Sequence, residues 1–322
     1  MTTPVRVATF VVGLAVVFAA ALGIGNAVGP VADEPVSHDD EHVAGQSDGA
    51  ESEEHGGGHD DAAGTETAAD IPGGLMISQD GYTFRLSEET ARPGRGVWTS
   101  FTIEGPDGHP VTEYDVEHEK QLHLIAVRRD FTGFQHVHPV LDADGVWSAR
   151  LDLTPGAWRV FADFKATGAE ALTLGADLAV SGSYAPAAQA TETRTAQAGP
   201  YTVTLAGDLE AGSDSELTLS VSRDGHPVTG LQPYLGAYGH LVALREGDLA
   251  YLHVHPDGTP GDGETEPGPD VVFYAAVPSE GRYRLFLDFK HDGVVRTAAF
   301  ALGTGETHGG SDSEQEGDDH DH

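Results

Sequence analysis

Two short histidine motifs are the residues of this chain best suited to chemistry. The sequence FQHVHP contains His136 and His138, and the sequence YLHVHP contains His253 and His255. Side chains two positions apart on a β-strand lie on the same face. The two histidines of each motif should therefore share a face, as ligands of one metal ion would.

A third histidine precedes each motif: His123 begins HLIAVR and His240 begins HLVALR. If each of these strands turns back into its motif as a hairpin, three imidazoles converge at one end of a domain and leave one coordination position open. The predicted ligands are His123, His136 and His138 at one site and His240, His253 and His255 at a second. In the alternative interpretation, the histidines are structural hydrogen-bonding groups and His-Pro ends a strand. If they bind metal, affinity should fall as the pH drops through about 6.5, the ordinary histidine pKa.

Two aspartates, Asp163 and Asp288, lie in the middle of predicted strands, where aspartate is disfavoured. Each could ligate the metal or accept the free N–H of a ligating imidazole. An ion pair with Lys165 or Lys290 on the same face is an equally good explanation. Asp163 and Asp288 therefore join the six histidines as candidate metal-site residues.

The motifs recur because the chain contains an internal duplication. Residues 107–139 align without a gap onto residues 224–256, with 14 of 33 positions identical. Chance would give roughly two identities at ordinary residue frequencies. A later match, WRVFADFK with YRLFLDFK, is offset by eight more residues, which fall in a loop around 258–269. We infer two copies of one domain.

Each copy contains short alternating strands separated by Asp-Gly turns, with no amphipathic helix. This pattern predicts an all-β fold of tandem immunoglobulin-like sandwiches. The predicted organisation is a signal anchor or signal peptide at 1–31, a disordered Asp/Glu/His-rich linker at 32–71, sandwich repeats at 72–182 and 199–304, a linker at 183–198 and a disordered acidic His-rich tail at 305–322.

The N-terminal segment predicts export. Residues 7–25 contain no charged side chain, and Arg6 is the only charged residue before them. The segment approaches the roughly 20 residues needed to cross a bilayer, so we favour a membrane anchor, with the rest outside the cytoplasm, over a cleaved signal peptide. The histidines of the acidic linker and tail either capture metal weakly or are incidental in solubilising segments.

Composition limits the partners. The chain has 52 Asp and Glu, 17 Lys and Arg, and a formal net charge of -35, which repels nucleic acid and anionic membrane surfaces. It has no cysteine, so any metal site must use imidazole and oxygen ligands.

The histidine patterns of both repeats resemble those of YtkA-like and heavy-metal-associated envelope proteins of actinobacteria. The resemblance implies an immunoglobulin-like fold and a role in handling copper or other metals at the cell envelope. The chain is also similar in general type to CopC-like copper carriers, but it lacks an identifiable mature N-terminal histidine.

Together these observations predict a non-enzymatic, extracytoplasmic metal-binding protein, with Cu(II) as the first candidate ion and Zn(II) as the second. The expected partners are divalent metal ions and an envelope metal transporter or chaperone, with membrane contact only through the N-terminal helix. The alternative is an envelope adhesion or assembly module whose histidines are structural. A metal-dependent enzyme ranks third, since no nucleophile motif or phosphate loop is present.

Overall fold

A computed structural model describes residues 71–305, and within them every regular element is a β-strand. The predicted N-terminal segment, acidic linker and acidic tail lie outside these residues, apart from the boundary residues 71 and 305. No helix in the described part of the chain is long and apolar enough to cross a membrane.

The first repeat is a sandwich of two five-stranded sheets. Its strands are Ser78–Gln79 (β1), Tyr82–Leu86 (β2), Thr90–Ala91 (β3), Gly94–Glu104 (β4), Leu122–Arg128 (β5), Gln135–Val137 (β6), Val140–Leu141 (β7), Val146–Leu153 (β8), Gly156–Lys165 (β9) and Ala171–Val180 (β10). One sheet has the order β1-β2-β4-β8-β7 and the other has the order β3-β10-β9-β5-β6.

The second repeat has the same two-layer plan. Its strands are Thr195–Ala198 (β11), Tyr201–Ala206 (β12), Asp214–Arg223 (β13), His226–Pro227 (β14), His240–Arg245 (β15), Tyr251–Leu252 (β16), Val254–Pro256 (β17), Asp270–Ala276 (β18), Arg282–His291 (β19) and Val294–Gly303 (β20). One sheet has the order β11-β12-β13-β18-β17, with β14 beside β13, and the other has the order β16-β15-β19-β20. The predicted tandem immunoglobulin-like fold is confirmed.

One boundary differs from the sequence prediction. Residues 195–198, assigned to the linker, form β11 and pair with β12 in the second repeat. The alternating burial of this strand explains its place, because Ala196 and Ala198 contribute to the second core.

Each repeat encloses its own apolar core between its two sheets. In the first repeat, alternate residues of β5 and β9, such as Leu124 and Val160, belong to this core. The residues between them face the other way and are also buried, so β5 is covered on both sides. A strand buried on both faces reads as a continuous apolar run, as Leu122–Arg128 does apart from His123 and the terminal Arg128.

The outer faces of β5 and β9 pack against the outer faces of β15 and β19, so the two repeats share a third apolar cluster. Its buried members are Ile125, Val127, Phe131, Phe161, Val242, Leu244, Leu249 and Phe286. Two ring contacts flank it: Phe134 stacks on Phe286 with centroids 4.0 Å apart, and Phe161 meets Tyr251 at 5.7 Å. Phe134 is the duplicate of Tyr251 and Phe161 that of Phe286, so equivalent surfaces of the two repeats face each other.

A short segment before β1 completes this contact. Gly73 forms a bridge with Tyr251 of the second repeat, and the amide of Gly74 donates to the carbonyl of Thr173 in β10. Gly74 has φ 73°, and a Cβ there would lie 2.4 Å from the ring of Phe161. This close approach requires glycine, because any side chain would meet the ring.

Candidate metal centre

The register of the strands places His123 and Asp163 side by side between the two repeats. His123 in β5 is the cross-strand partner of Asp163 in β9, which is in turn the partner of Thr173 in β10. The second repeat has the equivalent row of cross-strand neighbours, His240, Asp288 and Thr297. Both rows lie beside the apolar interface, since they continue the outer faces of the same strands. The candidate site therefore lies between the two sandwiches. The sequence had predicted one site at the end of each sandwich, and that position is corrected.

Four imidazoles from the two repeats cluster at this place. His136 lies in β6, opposite Ile125, and His138 follows the end of that strand. The ring centroids of His123, His136 and His138 are 5.0–5.3 Å apart. His240, from the second repeat, lies 4.6 Å from His136 and stacks on His123 at 5.5 Å.

The hydrogen bonds of His123 and His136 fix which nitrogens carry protons. Nε2 of His123 lies 3.2 Å from the carbonyl oxygen of Glu117, so it must donate. Nδ1 of His136 donates to Oδ2 of Asp288 over 3.0 Å. The remaining nitrogens, Nδ1 of His123 and Nε2 of His136, face each other at 3.1 Å. In neutral imidazoles both of these nitrogens carry lone pairs, and a metal cation ligated by both would stabilise this contact.

The Asp288–His136 pair is almost completely enclosed. The side chains of His136 and Asp288 are 1% and 4% exposed, and Thr297 donates to the other carboxylate oxygen. A carboxylate that accepts the outer N–H of an imidazole fixes its orientation and raises its basicity as a metal ligand. Of the roles predicted for this aspartate, the geometry matches the acceptor of an imidazole N–H.

Asp163 has a different environment. Its Oδ1 accepts a hydrogen bond from Thr173, and burial raises the pKa of the carboxyl group. The ion pair predicted with Lys165 is not formed, because the ammonium group of that lysine lies near Asp115 and Glu117. The equivalent aspartates therefore do different things: one holds a histidine, and the other lines a cavity.

Two further nitrogens in the cluster are buried without a hydrogen-bond partner in the described part of the chain. They are Nε2 of His138 and Nδ1 of His240. Buried polar atoms are nearly always hydrogen-bonded in native proteins, and each exception needs an explanation. A bound cation would supply one, since a ligating nitrogen gives its lone pair to the metal.

Burial favours the neutral form of His123, His138 and His240 by lowering the pKa of each. It lowers the pKa of His123 to about 3 and that of His138 to about 4, with nearby His136 contributing to both shifts. It also lowers the pKa of His240 well below the usual histidine range. Near neutral pH these imidazoles thus offer the uncharged form that metals bind.

The spacing suits a single metal ion. One nitrogen from each of His123, His136 and His138 can be chosen so that all three lie within 4.8 Å of one another, and this is the only such His/Cys/Asp/Glu group within residues 71–305. Tetrahedral ligation at 2.0–2.1 Å would place imidazole centroids about 5 Å apart. The observed centroid separations of 4.6–5.5 Å match this value.

The predicted second site is not assembled. His253 and His255 are exposed, with ring centroids 4.1 Å apart, while their expected partner His240 lies in the cluster of the first repeat. The expectation of two equivalent sites is therefore corrected to one cluster that draws on both repeats.

Strand pairing explains the difference. In the first repeat β6 pairs with β5 as far as Val137, so His136 stays in the sheet that faces the second repeat. In the second repeat β16 ends at Leu252, and β17 pairs with β18 in the opposite sheet. The chain changes sheets at His253, the duplicate of His136, and carries His255 away with it.

Comparison with known families accounts for both repeats. A family profile described as a domain of unknown function, DUF8832, matches residues 77–181 and 195–306, which is more than half of the chain. The chain belongs to the DUF8832 family. It contains two DUF8832 domains, and none of the curated proteins compared with it matches.

Solved structures resemble the paired domains only distantly. The FdeC adhesin of Escherichia coli is 18% identical, with a TM-score of 0.22 over 73% of this chain and 67% of that one. The adhesin InvE of Yersinia pseudotuberculosis is 10% identical, with a TM-score of 0.21 over 70% of this chain and 60% of that one. Domains 4 and 5 of the surface-layer protein SbsC are 8% identical, with a TM-score of 0.21 over 71% and 98%. Likenesses at this level carry no argument about what the DUF8832 domains bind.

Sequence reasoning missed the turn that borders the cluster. Glu117 and Lys120 form a tight turn with reciprocal backbone hydrogen bonds, and its central residues His118 and Glu119 have φ values of 47° and 66°. Such turns favour Asn-Gly, so a His-Glu pair is strained. The turn supplies the carbonyl that holds His123 and brings the ring of His118 within 6.1 Å of it. The lack of a counterpart to His118 in the second DUF8832 domain concealed this role.

Proposed function

We propose that this DUF8832 protein binds one divalent transition-metal cation between its two domains. The observation that carries the proposal is the 3.1 Å contact between Nδ1 of His123 and Nε2 of His136, whose outer nitrogens are held by Glu117 and Asp288. Both lone pairs are thereby directed at one point. His138 supplies the third nitrogen, and His240 stands beside it as a fourth.

The donor set selects the ion. The three grouped donors are imidazoles, and the chain has no cysteine. Imidazole suits copper and zinc, while calcium and magnesium prefer oxygen. Affinity for nitrogen sites peaks at Cu²⁺ in the divalent series, so Cu(II) is the first candidate and Zn(II) the second.

The proposed role is handling of this cation outside the cytoplasm without catalysis. The uncharged N-terminal segment supports export, and the net charge of -35 attracts cations to the surface. An envelope metal transporter or chaperone is the matching partner. The resemblance of the motifs to YtkA-like and heavy-metal-associated envelope proteins, which implies a role near copper or other metal handling, agrees with this proposal.

A structural role for the histidines is the second candidate, in an adhesion or assembly module. The observation that favours it is the hydrogen bond from His136 to Asp288, which joins the two domains without a metal. In that case a proton lies permanently between His123 and His136, and no cation displaces it.

Metal titration of the purified, untagged chain separates the two candidates. We expect one tight Cu(II) or Zn(II) equivalent that resists a competing chelator and is lost in His136→Ala. The matched control is His226→Ala, an exposed histidine in a hairpin. Unchanged metal content in His136→Ala would reject metal binding at this cluster and favour the structural role. Titration of the Cu(II)-loaded chain with Zn(II) identifies which of the two ions binds more tightly.

A further inference from the structure

His253 and His255 form an exposed pair, and His253 also lines a cavity that reaches two imidazoles of the histidine cluster, His123 and His240. The two rings of the exposed pair are 4.1 Å apart and nearly perpendicular. Two exposed imidazoles this close together can chelate one cation from solution. Their exposure contrasts with the burial of the cluster, where His136 is 1% exposed.

The cavity connects this pair with the cluster. It has a volume of about 130 Å³, and its lining includes His253, His123 and His240. A volume of this size holds a few water molecules or a partly hydrated ion. His253 thus shares a single space with two imidazoles of the proposed metal site.

The polar lining of the cavity suits a cation. Asp163 and Glu117 contribute carboxylates, and His118 contributes an imidazole within 6.0 Å of the His240 ring. Two positive groups, Lys120 and Lys165, also line it, and the ammonium group of Lys165 lies 3.6 Å from the carboxylate of Glu117. Among residues 71–305, Asp163 accepts only the hydrogen bond from Thr173, so its second oxygen is available to an ion.

We propose that His253 and His255 capture a divalent transition-metal cation from solution and that the cavity conducts it past Asp163 to the His123–His136–His138 cluster. The inference rests on the proposed function and adds a capture site and a route to it. It also assigns a role to the pairing of β17 with the opposite sheet of the second repeat. That pairing leaves His253 and His255 exposed, whereas their duplicates His136 and His138 are not. The two histidine motifs would thus serve successive steps of one uptake path.

The test is a kinetic one on the full chain. Cu(II), supplied as its glycine complex, is mixed with the protein, and the quenching of intrinsic fluorescence is followed by stopped flow. Tyr234, whose ring lies 6.4 Å from that of His138, is one of nine tyrosines and three tryptophans, so the quenching phase that disappears in His136→Ala is the one assigned to arrival at the cluster. His255→Ala and Asp163→Asn should each slow this arrival about tenfold and leave the equilibrium affinity of the tight site unchanged. His226→Ala should load at the wild-type rate.

Wild-type loading rates in both His255→Ala and Asp163→Asn would overturn the route. Since His255 is exposed, its removal does not threaten the fold, and that variant remains informative if Asp163→Asn is unstable. A different result would contradict the proposed function itself. It is either a wild-type chain that binds no cation tightly or a tightly bound cation that remains in His136→Ala.

Discussion

Asp288 of the second domain accepts a hydrogen bond from Nδ1 of His136 of the first, over 3.0 Å in a nearly solvent-free interface. Within residues 71–305 the equivalent aspartate, Asp163, has no histidine partner, because His253 lies outside the sheet that contains His240. This single contact ties the orientation of one imidazole to the packing of the two domains. Metal affinity and domain association should therefore be coupled.

The Asp288–His136 hydrogen bond predicts a loss of metal affinity in Asp288→Asn. Removal of an outer hydrogen-bond partner of a ligating histidine commonly costs 10- to 100-fold in affinity. We expect a loss in this range, measured by competition with a chelator of known affinity. Asp163→Asn, at the duplicated position, is the matched control and should retain the wild-type equilibrium affinity. Equal losses in both variants would contradict the assigned role of Asp288.

The lowered pKa values predict that the metal-free protein is less stable in mild acid. His123 and His138 have pKa values of about 3 and about 4, so between pH 6.5 and 4 the unfolded chain binds protons that the folded chain does not. The free energy of unfolding should fall across this window, by about 1.4 kcal/mol for each pKa unit of difference per group as an upper limit. Above pH 7 these two groups contribute no slope.

Urea titrations at pH 7.5, 5.5 and 4.5 measure this dependence. His138→Gln removes one of the titrating groups and should give a shallower decline. The same lowered pKa values should let the cluster retain its cation below pH 6.5, in contrast to the expectation for ordinary histidines. Identical pH profiles for the wild type and His138→Gln would show that His138 is not buried in its neutral form.

The stacked rings of Phe134 and Phe286 predict that the domain interface stabilises the whole chain. Phe286→Ala removes a buried side chain and its ring contact, which should cost about 3–5 kcal/mol. Metal affinity should fall too, since Asp288 lies two residues further along β19. Val294→Ala, at an exposed position of the adjacent strand β20, is the control for thermal and denaturant unfolding. A change below 1 kcal/mol in Phe286→Ala would mean that the domains do not depend on this contact.

Gly74 offers a separate test of the interface. Gly74→Ala combines an unfavourable positive φ with a Cβ that would lie 2.4 Å from Phe161. Gly108→Ala has a similar φ, 76°, but nothing within 4 Å of the new atom. The control should lose about 1 kcal/mol of stability through the backbone alone, and Gly74→Ala clearly more. Equal melting temperatures would show that the segment before β1 does not pack against Phe161.

The sequence predicts the domain pair and the identity of the clustered histidines well, because strand periodicity and duplication are local signals. The pairing of His123 with the strand that carries His136 follows from a hairpin, and the structure has that hairpin. The place of His240 could not be predicted in this way. The position of His240 depends on which faces of the two folded domains pack together, and the spacing of residues along the chain does not determine this.

The one available hint was the double-sided burial of β5. HLIAVR has apolar residues on both faces of the strand, so a second covering layer was required. The separation of His253 from His240 depends on where the chain changes sheets. The motifs FQHVHP and YLHVHP are nearly identical, yet the first pairs with β5 and the end of the second pairs with β18. The eight-residue insertion that follows β17 is the local difference that accompanies the new crossing.

Anomalous diffraction from crystals loaded with Cu(II) or Zn(II) tests the central claim most directly. The account predicts one strong anomalous peak between the two domains, about 2.0–2.1 Å from Nδ1 of His123 and Nε2 of His136, with His138 as the third ligand. A peak at each of two separate three-histidine sites would contradict it. The absence of a peak between His123 and His136, in a crystal soaked with saturating metal, would also contradict it.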